Sequence, residues 1–187
     1  IVIVPVLYLL APYLGIEDSV RMHLAVGTSL ATIIPTSIMS ARAHLKRGSL
    51  DATLLKTIGP GVIIGVAAGS LIGGNVDTIT LTLIFSILAL LVSLYMAFGR
   101  EEWVIAQQLP MSKILRGFSG IFIGTFSVMM GIGGGTFSVP FFTLYNIPIR
   151  LAVGTASAVG TLIAIPGTIG FILTGWGNPL LPAYNLG

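Results

Sequence analysis

The sequence predicts an all-α fold, a polytopic transmembrane helical bundle built from two duplicated halves with a glycine-broken membrane segment. Three observations predict its class: 55% of the 187 residues are hydrophobic, only 8% are charged, and the mean hydropathy is +1.01. A soluble domain carries about 25% charged residues, so this chain lacks the polar surface to cover a water-soluble particle. Its natural partner is the lipid bilayer. Cysteine is absent, which removes disulfides and thiolate metal ligands from the chain. The net charge of +3 does not imply nucleic acid, because the basic residues are distributed by topology.

A membrane helix needs about 20 largely apolar residues, and that rule divides the chain in order. Residues 1–14 are expected to be a partial span whose beginning is missing or unusual, and no cleavable signal is visible in the sequence. Glu17, Asp18 and Arg21 mark a polar loop. The second span, 23–41, contains Pro35, which membranes tolerate where neighbours satisfy the freed carbonyl. Residues 42–51 form the most basic loop, with Arg42, His44, Lys46, Arg47 and Asp51.

The third span, 52–74, starts near Lys56, whose long side chain can snorkel to the headgroups. Within it Gly61, Gly65, Gly69 and Gly73 recur every four residues on one face, where small residues let helix backbones pack closely in lipid. Asn75-Val76-Asp77 links to the fourth span, 78–98, which has neither glycine nor proline and reads as an ordinary lipid-exposed helix. Residues 99–116 are a cytoplasmic connecting loop in which Trp103 suits the headgroup level. The next apolar stretch, 117–145, is too long for one ordinary span. After a polar link at 146–150 the last span, 151–174, holds Pro166-Gly167, with Trp176 near the interface.

Seven of the nine Lys and Arg (Arg42, Lys46, Arg47, Lys56, Arg100, Lys113, Arg116) flank the third and fourth spans on one side. The positive-inside rule makes that side cytoplasmic and the protein a multi-pass component of the cytoplasmic membrane. The chain opens at Ile1 inside an apolar run and carries no charge after Arg150. It is therefore expected to be a fragment of a longer, transporter-sized protein.

The stretch 117–145 is broken at Gly131-Ile132-Gly133-Gly134-Gly135. Each glycine is worth roughly 1 kcal/mol less than alanine inside a helix, so a continuous helix gains nothing from four of them. They suit backbone that turns or approaches something closely. The run fails two soluble readings: Thr136 stands where a dinucleotide fingerprint needs its third glycine, and no P-loop lysine follows.

A duplication accounts for the break's setting. Leu-Ala-Val-Gly-Thr occurs at 24–28 and again at 151–155, and the same shift of 127 residues pairs Gly48 with Gly175 and Asp51 with Asn178. Val4-Pro5 pairs with Val139-Pro140 if the first half carries a longer loop, and Arg21 and Arg150 both precede the shared pentapeptide. The first repeat is expected over 1–98 and the second over 117–187. Secondary transporters are commonly built from such halves, with the site near mid-membrane at their interface. One crossing by 117–145 would make the repeats parallel; a segment that dips and returns would make them inverted.

No enzyme constellation is present. All six carboxylates lie in loops or at span edges, and two histidines without cysteine do not assemble a metal site, so neither catalysis nor a cofactor is implied. No carboxylate lies within a span, which argues against the commonest proton relay. What remains is a broken helix, whose unpaired N–H groups and partial positive charge favour anions. Gly131, Gly133, Gly134 and Gly135 would supply that backbone, and Thr136, Ser138, Thr155 and Ser157 would add hydroxyls. The alternative is that the glycines only let helices touch.

At these residues the chain resembles the TauE/SafE, or sulfite exporter, family of membrane transporters. The likeness rests on 131–135 with Val139-Pro140, on Ala152-Val153-Gly154-Thr155, on Val4-Pro5 and Ala25-Val26-Gly27-Thr28-Ser29, and on the loop 44–51. It implies duplicated halves and export of sulfite, sulfoacetate or a related small organic anion; the mechanism expected of two pseudo-symmetric broken segments is alternating access. The likeness extends the substrate-contact set to Pro140 and Gly154 and, in the first half, to Pro5, Gly27, Thr28 and Ser29. One departure is visible: the second half reads Gly154-Thr155-Ala156 where Gly-Thr-Ser is expected, with Ser157 one place later. A passive anion channel and a non-transporting scaffold remain the competing readings.

Overall fold

The structure, a computed structural model, describes residues 2–98 and 113–182. These residues form helices joined by short links, and no strand occurs among them. The α-helices are α1 (Ile3–Leu10), α2 (Arg21–Lys46), α3 (Ala52–Asn75), α4 (Thr78–Phe98), α5 (Lys113–Met129), α6 (Gly135–Leu144) and α7 (Ile149–Gly175), with a 3-10 turn at Ala11–Leu14 after α1. Four of them, α2, α3, α4 and α7, are long and apolar enough to cross a membrane. Trp103, Arg100 and most of the expected connecting loop lie outside the described residues.

Several boundaries move from those the charge pattern suggests. α2 runs on through Arg42, His44 and Lys46, because cations in a last turn are favoured by the helix dipole. It stops at Gly48, whose φ of +63° is left-handed. Gly48 N–H donates to Leu45 O (3.1 Å) and Ser49 N–H to His44 O (3.0 Å), the paired bonds that close a helix on a left-handed residue. α5 starts at Lys113, inside the stretch expected to be loop, and α7 starts at Ile149 directly after Pro148.

Three close seams hold the bundle, one of them between α3 and α7, where a Cβ on Gly74 or Gly170 would strike the side chain of Thr174 or Ser70. α3 lies parallel to α5, and a Cβ on Gly61 or Gly65 would strike the backbone of Gly117 or Ile121, while one on Gly69 would come within 2.7 Å of Thr125 O. From the other side, a Cβ on Gly120 would meet Ile58 O at 2.5 Å. The four-residue glycine spacing of α3 is thus a packing face, and Thr125 Oγ1 donates across it to Gly65 O (3.0 Å). The third seam is α2 against α7, which run antiparallel: Gly27 faces Phe171, Ser37 faces Gly160, and His44 faces Gly154. α4 contributes less to this packing and exposes Ile79, Leu83, Ile87, Leu90, Leu91 and Leu94, the apolar surface expected against lipid.

The basic residues that end α2 and begin α3, α5 and α7 therefore collect at one end of the bundle. Arg150, which the sequence left unassigned, joins them by donating from Nη2 to Arg47 O (3.0 Å). Arg21 stands at the opposite end, paired with Asp18.

Candidate functional site

α5 and α6 are separated at residues 130–134, and the glycines there have different tasks. Gly131 has a φ of +60°, and it closes α5: its N–H donates to Val128 O (3.0 Å) and Ile132 N–H donates to Ser127 O (3.1 Å). A Cβ at Gly131 would lie 3.0 Å from Val26 Cα, and Ser29 Oγ of α2 donates to Gly131 O at 2.7 Å. Gly133 packs at Ile33, midway along α2. At Gly134 a Cβ would lie 2.8 Å from Gly160 N and 3.1 Å from Ala156 O of α7. At Gly135, exposed at the first turn of α6, nothing stands within 4 Å.

α6 thus begins level with the middle of α2 and returns to the basic end. Its first N–H groups have no helical partner, as at any helix start. Beside the break, the hydroxyls of Ser127 and Ser138 are fully buried and have no hydrogen-bond partner among the described residues. Sequence reasoning singled out Ser138 and passed over Ser127, which looks like any small residue on a tightly packed helix. Thr136 and Pro140 lie in α6 half-buried, and Pro5 sits half-buried in α1.

The remaining candidates lie within about a turn of residues that touch the break, but on other helix faces: Gly27 and Thr28 fall between Val26 and Ser29, and Gly154 and Thr155 precede Ala156. They divide between the two ends of the α2–α7 seam, about 25 Å apart along α2 at 1.5 Å per residue. At the basic end, Thr155 is fully buried and its hydroxyl accepts from Asp51 N–H (3.0 Å). The Ser49 carbonyl is seated where a Cβ of Gly154 would go. Ser157 donates to Gly154 O of its own helix (2.7 Å). At the opposite end, Gly27 and Thr28 line a cleft of about 500 Å³ with His23, Phe171, Thr174 and Asn178. His23 is fixed there by Nε2 donating to Val76 O (2.9 Å). Among the described residues, no group of three potential metal-ligating side chains comes together.

The family model for sulfite exporter TauE/SafE matches residues 1–186. The chain belongs to this family. Among its relatives, a probable membrane transporter protein of Haemophilus influenzae is 38% identical over all of this chain and 70% of its own length. A probable membrane transporter protein of Methanocaldococcus jannaschii is 29% identical over 99% of this chain and 67% of its own length. One from Bacillus subtilis is 29% identical over 84% of this chain and 66% of its own length. No solved structure matches significantly.

Membership makes this TauE/SafE protein a multi-pass component of the cell membrane in a family of probable transporters. Asn178 is the cleft residue that the sequence undervalued. Its alignment with Asp51 under the 127-residue shift was visible, but nothing in the sequence placed it in one cleft with Thr28.

Proposed function

We propose that this protein moves a small anion, sulfite or a related organosulfur or organic anion, across the membrane by alternating access between two inverted repeats. The observation that carries the reading is the antiparallel α2–α7 pair, in which the two copies of Leu-Ala-Val-Gly-Thr stand at opposite ends. The 127-residue shift exchanges the contact of Gly27 with Phe171 for that of His44 with Gly154, as a pseudo-two-fold axis requires. α1 packs on α2 as α6 packs on α7, which supports the pairing of Val4-Pro5 with Val139-Pro140. The first repeat is then 1–98 and the second 117–187. Inverted repeats supply two conformations of similar energy, each open to one side.

In this reading the basic end faces the cytoplasm. The start of α6 offers backbone N–H groups near mid-membrane, where a broken helix end favours anionic substrate. The buried hydroxyls of Ser127 and Ser138 add polarity without charge. The test is uptake by liposomes carrying the full-length protein, with a panel of anions and with or without a pH gradient. Accumulation above the external concentration when the gradient is applied supports coupled transport. Flux that only follows the anion's own gradient indicates a channel, and absence of flux for every anion indicates a scaffold.

A further inference from the structure

The two ends of the α2–α7 seam carry equivalent residues in unequal states. At the basic end the chain fills the space itself: Ser49 lies over Gly154, and Asp51 N–H is bonded to the Thr155 hydroxyl. At the opposite end the same space is the cleft. A Cβ on Gly27 would meet only Phe171, at an ordinary 3.6 Å. Thr28 is exposed, and its hydroxyl makes no hydrogen bond among the described residues. Asn178, the counterpart of Asp51, uses Oδ1 to accept from Leu180 N–H (3.0 Å), which leaves its amide N–H pair to point elsewhere.

We propose that this cleft is a binding site for a small organic oxyanion, with the Thr28 hydroxyl and the Asn178 amide as donors to its charged head. The site rests on the anion-transport reading above, and adds where the anion is met on the side away from the basic end. Among the described residues, no carboxylate and no Lys or Arg line the cleft, so uncharged donors set its polarity. His23 is the titratable group among the described residues that line it. Replacement of Asp51 by Asn178 at the equivalent place removes a negative charge and supplies two N–H donors. The apolar walls, Leu24, Phe171 and Ile172, and a volume well beyond that of a bare oxyanion fit a short carbon substituent. The closed end shows what an empty site can collapse to, with backbone in place of ligand.

Sulfoacetate is a suitable probe, in proteoliposomes of the full-length protein free of other cysteines. Thr28→Cys is exposed, so folding is not at stake, and a membrane-impermeant thiol reagent should modify it. Saturating sulfoacetate is expected to slow that modification several-fold, and Asn178→Asp to weaken equilibrium sulfoacetate binding about tenfold through like-charge repulsion. If the parent transports sulfoacetate while Thr28→Cys is unprotected and Asn178→Asp binds normally, the cleft assignment is wrong and the transport reading stands. If the parent neither binds nor transports any anion in the panel, both fall together.

Discussion

The seam between α2 and α7 has one closed end and one open end, built from the same pentapeptide. The difference between them originates in where each helix stops. α2 ends at Lys46 and the left-handed Gly48 turns the chain back, so that Ser49 lands on Gly154 and Asp51 reaches Thr155. α7 runs to Gly175, two residues beyond the position equivalent to Lys46, and its left-handed glycine is Gly177. Among the described residues, the segment after it, 178–182, therefore passes beside Gly27 and Thr28 and contributes Asn178, Leu180 and Leu181 to the cleft wall. A displacement of two residues at a helix end decides whether backbone or cleft occupies the place.

The largest expected effect separates the two glycines. Gly154→Ala sets a methyl against the Ser49 carbonyl, and backbone that must shift in a packed seam costs about 1–3 kcal/mol. Gly27→Ala meets only an ordinary contact and gains helix propensity, so it is expected to be neutral or stabilising by up to about 1 kcal/mol. Thermal unfolding of the two variants in the same detergent tests the comparison. Equal losses at both positions would mean that the ends are equally closed.

The hydroxyls give the next contrast. Thr155→Val leaves Asp51 N–H without its partner in a part-buried site, a loss of about 1–3 kcal/mol. Thr28→Val removes a hydroxyl with no partner among the described residues and should change stability by less than about 0.5 kcal/mol, while weakening anion binding. Proteolysis of the 42–51 segment offers a second readout, because release of Asp51 should speed cleavage in Thr155→Val and not in Thr28→Val.

Much of this was legible in the sequence, and the failures have physical causes. The spans were visible because lipid demands long apolar runs, and the four-residue glycine spacing of α3 correctly announced a close face. The glycine run announced a helix stop because a residue with a φ of +60°, as Gly131 has, is rarely anything else. Basic residues misled at the end of α2, since a charge pattern that reads as loop also suits a last helical turn. Partners of the hydroxyls were out of reach. Thr155 and Ser29 bond to Asp51 and Gly131, each more than 100 residues distant along the chain. The cleft was equally hidden, because it depends on a two-residue difference in helix length.

Ser29 and Ala156 are the smallest test of the comparison, and they explain the break in the shared motif. After the pentapeptide the first copy has Ser29, whose hydroxyl donates to Gly131 O at 2.7 Å and so ties α2 to the turn between α5 and α6. The second copy has Ala156, almost wholly buried, whose carbonyl lies against Gly134 where that turn leads into α6. The same turn thus meets both α2 and α7, and only α2 supplies a donor. Ser29→Ala should cost about 1 kcal/mol, one buried hydrogen bond, with unchanged thiol accessibility at Thr28→Cys. Ala156→Ser adds a hydroxyl to a packed site without a prepared partner and should cost about 1–3 kcal/mol. A neutral Ser29→Ala would mean that the turn is held by Gly131's own helix-closing bonds alone, and that the serine serves the anion instead.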